Sequence, residues 1–241
     1  MSEIFNAVPV GRVVGLWRYP VKSMGAESLM EADVDWNGLS GDRRWAFMRD
    51  SMAKNGFPWL TLRQCPDMAQ YTPSFRDPGN PDTSPTIVKT PSGDVFDVMD
   101  SALSAELCQS GARVIRQARG IFDTFPLSLI TTQTIARLGQ IVGEDLDVQR
   151  FRPNILVDAA EDKPFREDGW VGRILRFGGV RMRLDKRDGR CAVITIDPAT
   201  AKRSASILQA VRRERQGNLG VYGTTVKPGN VVINDAVLME P

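Results

Sequence analysis

Met30-Glu31-Ala32-Asp33-Val34-Asp35-Trp36 places an apolar side chain at every second position and a carboxylate between each pair. A period of two is the period of a strand, so Met30, Ala32, Val34 and Trp36 are expected on a core face, with Glu31, Asp33 and Asp35 in water. Asn37-Gly38 then supplies a turn. Outward from this segment the pattern repeats. Residues 12–19 read as a strand stopped by Pro20, residues 45–48 as a strand leading to a turn at Asn55-Gly56, and residues 86–89 and 95–99 as a hairpin about Pro91-Ser92-Gly93-Asp94. Residues 77–85, rich in Pro, Asp, Asn and Ser, read as an exposed loop.

The second half continues in the same way. Residues 127–130 and 154–157 are expected as short buried strands. The Gly178-Gly179 turn leads into alternating Val180, Met182 and Leu184. Cys191 is expected to begin a further strand ended by Pro198, and a final hairpin to turn at Lys227-Pro228-Gly229-Asn230. Helices are expected over 101–109, capped by Asp100 and ended by Gly111, over 132–141, capped by Thr131 and ended by Gly143, and over 207–215. So many short strands with about three helices predict a mainly β (α+β) fold of barrel-like or strongly curved sheets, because closure removes exposed sheet edges. Arg119-Gly120 marks the boundary between residues 1–119 and 120–241.

Composition narrows the chemistry. Apolar residues at 42% and charged residues at 25% match an ordinary globular chain. The absence of an apolar run of about 18 residues, and of a basic segment followed by an apolar one at the start, predicts a cytoplasmic protein without a membrane span. Net charge is only +2, and the basic residues are scattered, so nucleic acid is not an expected partner. No histidine is present, which removes Ser-His-Asp and Cys-His nucleophilic catalysis and imidazole metal sites. Cys65, Cys108 and Cys191 are far apart and form no CxxC, which disfavours an iron–sulfur cluster or structural zinc. Any cysteine chemistry must use a single thiol.

Cys191 is the candidate, since it follows the polar turn Lys186-Arg187-Asp188-Gly189-Arg190, and the adjacent Arg190 would favour the thiolate that binds metal. Residues 189–198, Gly-Arg-Cys-Ala-Val-Ile-Thr-Ile-Asp-Pro, resemble the cysteine motif of MOSC domains. Arg150-Phe151-Arg152-Pro153-Asn154-Ile155 resembles that family's FRPN motif, and Tyr222-Gly223 follows in the expected order. Upstream, Tyr19-Pro20-Val21-Lys22-Ser23, Gly38-Leu39-Ser40-Gly41-Asp42-Arg43-Arg44-Trp45 and Thr61-Leu62-Arg63-Gln64 resemble the smaller β-barrel domain that precedes MOSC in one branch of the family. That branch includes the mitochondrial amidoxime-reducing component and its bacterial relatives. The resemblance covers nearly the whole chain.

What the resemblance implies is a molybdenum cofactor, Mo-molybdopterin, with Cys191 as metal ligand and catalytic centre. Lys22, Ser23, Arg43, Thr131, Arg152, Asn154, Arg190 and Tyr222 are the implied cofactor-binding residues, with Arg63 a further candidate cation. The implied activity is reduction of small N-hydroxylated compounds such as amidoximes, hydroxamic acids or N-hydroxylated bases. Because the chain carries no cluster cysteines and no GxGxxG turn, electrons would come from a separate ferredoxin or flavoprotein reductase. A cofactor carrier or sulfur-handling module without substrate turnover is the alternative that uses the same thiol. The chemistry of the residues agrees with these roles: a thiolate is a soft ligand, arginine forks bind phosphate in pairs of hydrogen bonds, and a capped helix start at Thr131 can hold an anion. Cys65 and Cys108 are expected to be structural.

Overall fold

The strand Val8–Arg18 is the seam of the molecule, pairing antiparallel with Ile155–Ala159 on one side and Ala236–Met239 on the other. The first of those pairings closes a seven-stranded barrel. Around it the order is Ile155–Ala159, Leu127–Thr131, Asn218–Lys227, Val180–Gly189, Ile174–Phe177, Ala236–Met239 and back to Val8–Arg18. The structure is a computed structural model and describes residues 7–49, 57–108 and 111–241. Alternation is visible along Val180–Gly189, where Val180, Met182 and Leu184 are buried while Arg181 and Arg183 point outward. Those three join Val13, Leu16, Phe177 and Val221 inside the barrel. Leu127–Thr131 and Ile155–Ala159 run parallel, which requires a crossover, and the helix Thr132–Val142 provides it.

The first half adds three small sheets. Glu31–Asp35 lies between Gly38–Leu39 and Gly229–Val232, Trp45–Arg49 pairs with Ala112–Arg116, and Thr72–Phe75 and Val95–Asp97 flank Thr86–Lys89. The first of these packs Ala32, Val34, Leu39 and Val231 onto the barrel core. The other two, with the helix Ser101–Leu107, capped by the Asp100 carboxylate accepting from the Ala102 N–H, surround a second core of Met24, Phe47, Met68, Val88 and Leu103. A third cluster, including Phe151 and Ile194, lies under the helices Thr132–Val142 and Ala205–Arg215. Among the described residues no helix is long and apolar enough to cross a membrane.

Four expectations need correction. Ala32 and Val34 are buried, but Met30 and Trp36 are exposed, since the pairing with Gly229–Val232 covers only residues 31–34 and both side chains lie beyond its ends. Cys191 does not begin a strand. It precedes a 3-10 turn, Ala192–Thr195, in which the Ile194 N–H donates to the Cys191 carbonyl. The apolar run there serves two cores, Ile194 in the third and Ile196 in the second, and the tighter turn separates them. The turn at residues 227–230 makes no hairpin. Asn218–Lys227 stays in the barrel while Gly229–Val232 crosses to Glu31–Asp35, and Gly229 is needed there because a Cβ would come within 2.5 Å of the Gly179 carbonyl carbon. The first helix stops at Leu107, with Cys108 as its end residue. Asn55-Gly56 lies outside the described residues.

Candidate functional site

The chain leaves Val8–Arg18 through Tyr19-Pro20-Val21-Lys22-Ser23, and backbone bonds from Arg43 to Tyr19 and from Lys22 to Trp45 tie that turn to the Gly-Asp-Arg segment. On the barrel side, the 3-10 turn Val148–Phe151 ends at Arg152, and the Asn154 N–H donates to the Ser128 carbonyl. These two turns and the Cys191 turn face one cleft of about 550 Å³. It is lined by Lys22, Ser23 and Arg43 from the first half, and by Arg152, Asn154, Arg190, Cys191 and Tyr222 from the second. Ser23, Arg43 and Arg152 all adopt left-handed backbone conformations, with φ of 70°, 50° and 52°. Such conformations cost non-glycine residues about 1–3 kcal/mol each and persist where surrounding structure enforces them, commonly at binding sites.

Charge is concentrated here. Among the described residues, Lys22, Arg43, Arg63, Arg150, Arg152 and Arg190 line the cleft against Asp123 and Asp188, in a chain whose net charge is +2. Lys22 donates to Asp123, and Arg43 pairs with the fully buried Asp42. Two guanidiniums lie over the ring of Tyr19, that of Arg43 at 4.6 Å and that of Arg152 at 4.3 Å. Arg152 donates to the Met24 carbonyl at 2.7 Å, but its second terminal nitrogen is buried without a hydrogen-bond partner. Burial pushes the Arg152 guanidinium down to about 10, with Tyr19 resisting and Arg43 adding to the shift. An anion in the cleft would relieve that uncompensated charge.

The two carboxyls differ. Burial works against the Asp123 carboxylate, yet Lys22, Arg63 and Arg43 outweigh it and hold the group below its ordinary range. Burial raises Asp188 above the ordinary range, with Arg190 and a hydrogen bond from Tyr222 pulling back. Tyr222 stacks on Phe125, which with Phe57 and Phe122 forms the apolar part of the lining.

Arg190 does not attend the thiol beside it. Its guanidinium donates to the Leu219 and Phe151 carbonyls, both at 2.7 Å, and pairs with Asp188 at 2.9 Å. Arg63 meets the thiol instead, its terminal nitrogen 3.3 Å from the Cys191 sulfur. Asn154 is committed to the protein: its amide donates to the Trp17 carbonyl and to Asp42, and its oxygen accepts from the Ser128 N–H. Its side chain therefore holds Asp42, and through it Arg43. Asp123, Asp188, Arg150 and the aromatic wall escaped the sequence reading. Arg150 and Asp188 stood in quoted segments without being given a role, and no local pattern distinguishes Asp123 or the aromatic residues.

Thr131 is elsewhere. Its hydroxyl is the cap of the helix Thr132–Val142, and it also bonds the fully buried Glu167 at 2.9 Å. Glu167 accepts from the Thr131 N–H and the Thr134 hydroxyl as well, so a side-chain carboxylate already fills the anion position expected at that helix start. Burial raises the Glu167 carboxyl above its ordinary value near 4.5, against the hydrogen bonds that favour its charged form. Its contribution to stability is thus fully present below the unfolded value and is lost as pH rises through the higher folded one. Urea midpoints taken from pH 4 to 8 are expected to show this decline, and Glu167→Gln is expected to flatten it. An identical slope in both proteins would assign the decline to other groups.

Known sequences and structures match this arrangement. The model of the MOSC domain matches residues 117–238, and that of the MOSC N-terminal beta barrel domain matches residues 10–109. The molybdenum cofactor sulfurase of Drosophila grimshawi is 27% identical over 249 residues, covering 85% of this chain and 31% of that protein. Mitochondrial amidoxime-reducing component 1 of Danio rerio is 31% identical over 124 residues, 48% of this chain and 37% of that protein. The chain spans about a third of the length of the curated relatives it matches. The YuaD protein from Bacillus subtilis superposes with a TM-score of 0.54 at 12% identity over 99% of this chain and 100% of that one, a likeness of fold. With one family match over the second half of the chain, which holds six of the barrel's seven strands, and another over the segments that bring Lys22, Arg43 and Arg63 to the cleft, the chain belongs to the MOSC-domain family and carries the MOSC N-terminal β-barrel domain.

Proposed function

We propose that this chain is a molybdenum-cofactor-dependent oxidoreductase of the cytoplasm that reduces N-hydroxylated compounds with electrons from a separate donor protein. The observation that carries the reading is a half-buried thiol, Cys191, in a cleft lined by six cations and two carboxylates. The donor set fits a metal-dithiolene cofactor with a phosphate tail: one soft sulfur for the metal, and an orphaned buried nitrogen on Arg152 for an anionic oxygen. Cys191 would hold the metal, Arg152, Arg43 and Lys22 the phosphate, and Ser23 and Tyr222 the polar edges. Asn154 and Arg190 act through Asp42, Asp188 and backbone carbonyls, as positioning groups. When bound, such a cofactor supplies two-electron removal of oxygen from nitrogen. Phe57, Phe122 and Phe125 give the cleft an apolar wall, and Asp188, whose carboxyl burial raises above its ordinary range, accepts from the Tyr222 hydroxyl and pairs with Arg190.

A second reading follows from the sulfurase relatives: the same thiol holds finished cofactor or a persulfide without turnover. Metal analysis of the pure protein, joined to an amidoxime assay with reduced viologen, separates the two. Molybdenum with turnover supports the reductase; tight binding, ready transfer and no turnover supports the carrier.

Electron supply gives a further expected result. NADH or NADPH alone should not drive reduction by the isolated chain, whereas reduced viologen, or a ferredoxin or flavoprotein reductase, should. Added salt should slow the partner-driven rate more than the viologen-driven one, because redox encounters are small and steered by charge. Robust NADH-dependent turnover would mean a second cofactor site.

A further inference from the structure

Arg63 differs from the other cations of the cleft. Lys22, Arg43, Arg150 and Arg190 each pair with a carboxylate, on Asp123, Asp42, Asp197 and Asp188. Arg152 lies in the floor against Tyr19 and the Met24 carbonyl. Arg63 alone among the six is exposed, and among the described residues no carboxylate lies within ion-pair distance of it. Its position is nevertheless built. The Gln64 side-chain oxygen accepts from the Thr61 N–H at 3.1 Å and from the Thr61 hydroxyl at 2.7 Å, bracing the turn. Arg203, from the other half of the chain, donates to the Leu62 and Arg63 carbonyls, both at 3.2 Å. The guanidinium lies 5.8 Å from the centre of the Phe57 ring and reaches the Cys191 sulfur from the open side of the cleft. The buried Leu60 and Leu62 explain why the turn is braced, but a solvated cation without a carboxylate adds little to folding, so stability does not account for the Arg63 side chain beside the thiol.

We propose that Arg63 selects substrates bearing an anionic group, a carboxylate on a planar apolar body, and brings that end to the open side of Cys191. The proposal rests on the reading of Cys191 as the reaction centre. An arginine fork takes a carboxylate through two parallel N–H bonds, a geometry that Lys22, already bound to Asp123, does not offer. Phe57, Phe122 and Phe125 supply the flat apolar contact for the rest of the molecule.

Two measurements test it, one independent of the cofactor. In full-length protein carrying Cys65→Ser and Cys108→Ser and produced without molybdenum, Cys191 is alkylated with iodoacetate and with iodoacetamide. Both reagents form the same sulfur–carbon bond to the thiolate and release iodide, so the ratio of their rates cancels the thiolate fraction and reports the pull on the reagent's charge. With Arg63 in place the ratio is expected to exceed that of glutathione by about tenfold, the scale of one charge-assisted hydrogen bond. It should fall most of the way to the glutathione value in Arg63→Gln and only partly in Arg63→Lys. In the loaded protein, the preference in kcat/KM for 4-carboxybenzamidoxime over benzamidoxime should drop by a similar factor in Arg63→Gln. An alkylation ratio unchanged by Arg63→Gln overturns the proposal, and so does a carboxylate preference that the variant leaves intact. If no amidoxime is turned over but the alkylation ratio still depends on Arg63, the reductase reading fails while the anion-selecting role of Arg63 stands.

Discussion

Cys191→Ser is expected to lower reduction of N-hydroxylated substrates by more than about 100-fold, beyond the 10- to 100-fold usual for groups that only support a metal ligand. Oxygen replaces sulfur with little change of shape, and Cys191 is half-buried at a turn rather than packed in a core. The melting temperature should therefore stay within about 2 °C of wild type. The Mo(V) resonance is the decisive readout, because a hard hydroxyl in place of a soft thiolate changes the electronic environment of the metal even where the cofactor stays in the cleft. Cys65→Ser and Cys108→Ser provide the contrast. Both thiols pack against the second core, and burial raises the Cys65 thiol above its ordinary range, so these variants should keep the wild-type spectrum. A Cys191→Ser protein with wild-type resonance and turnover would remove this residue from the metal.

Arg152→Ala is expected to act on occupancy rather than on the metal's signal. Its buried terminal nitrogen without a partner and the nearby Arg43 charge are what an anionic ligand would relieve. Loss of one charge-assisted contact of about 1.5–3 kcal/mol corresponds to retention weaker by roughly 10- to 100-fold. Dialysed protein should then lose pterin and molybdenum together, while the fraction still loaded keeps a wild-type resonance. Arg152→Lys should recover part of the occupancy, since an ammonium returns the charge without the fork. A folded Arg152→Ala protein that holds full cofactor through dilution and dialysis would place the anion elsewhere.

Local chemistry was legible in the sequence wherever it depended on neighbours in the chain. Alternating Val180, Met182 and Leu184 specified a strand with one buried face, Asp100 and Thr131 capped their helices, and Gly143 ended one in the left-handed conformation. The lack of histidine and the spacing of three cysteines limited any cysteine chemistry to single thiols, and the resemblance of residues 189–198 to a cysteine motif singled out Cys191. Tertiary structure decided what surrounds that thiol. Arg190, its chain neighbour, turns away to Asp188 and two carbonyls, while Arg63, 128 residues distant, reaches the sulfur. The apolar residues after Cys191 became a 3-10 turn because two separate cores claim Ile194 and Ile196. Met30 and Trp36 fitted the strand period yet stayed in water because their partner strand is short. Thr131 kept its cap but gave its anion position to Glu167, which enters from a distant turn. Dihedral preference and periodicity act over a few residues and so are written in the chain. Closing the barrel from Val8–Arg18 to Ile155–Ala159 is a long-range event, and the cleft that joins both halves exists only once it has happened.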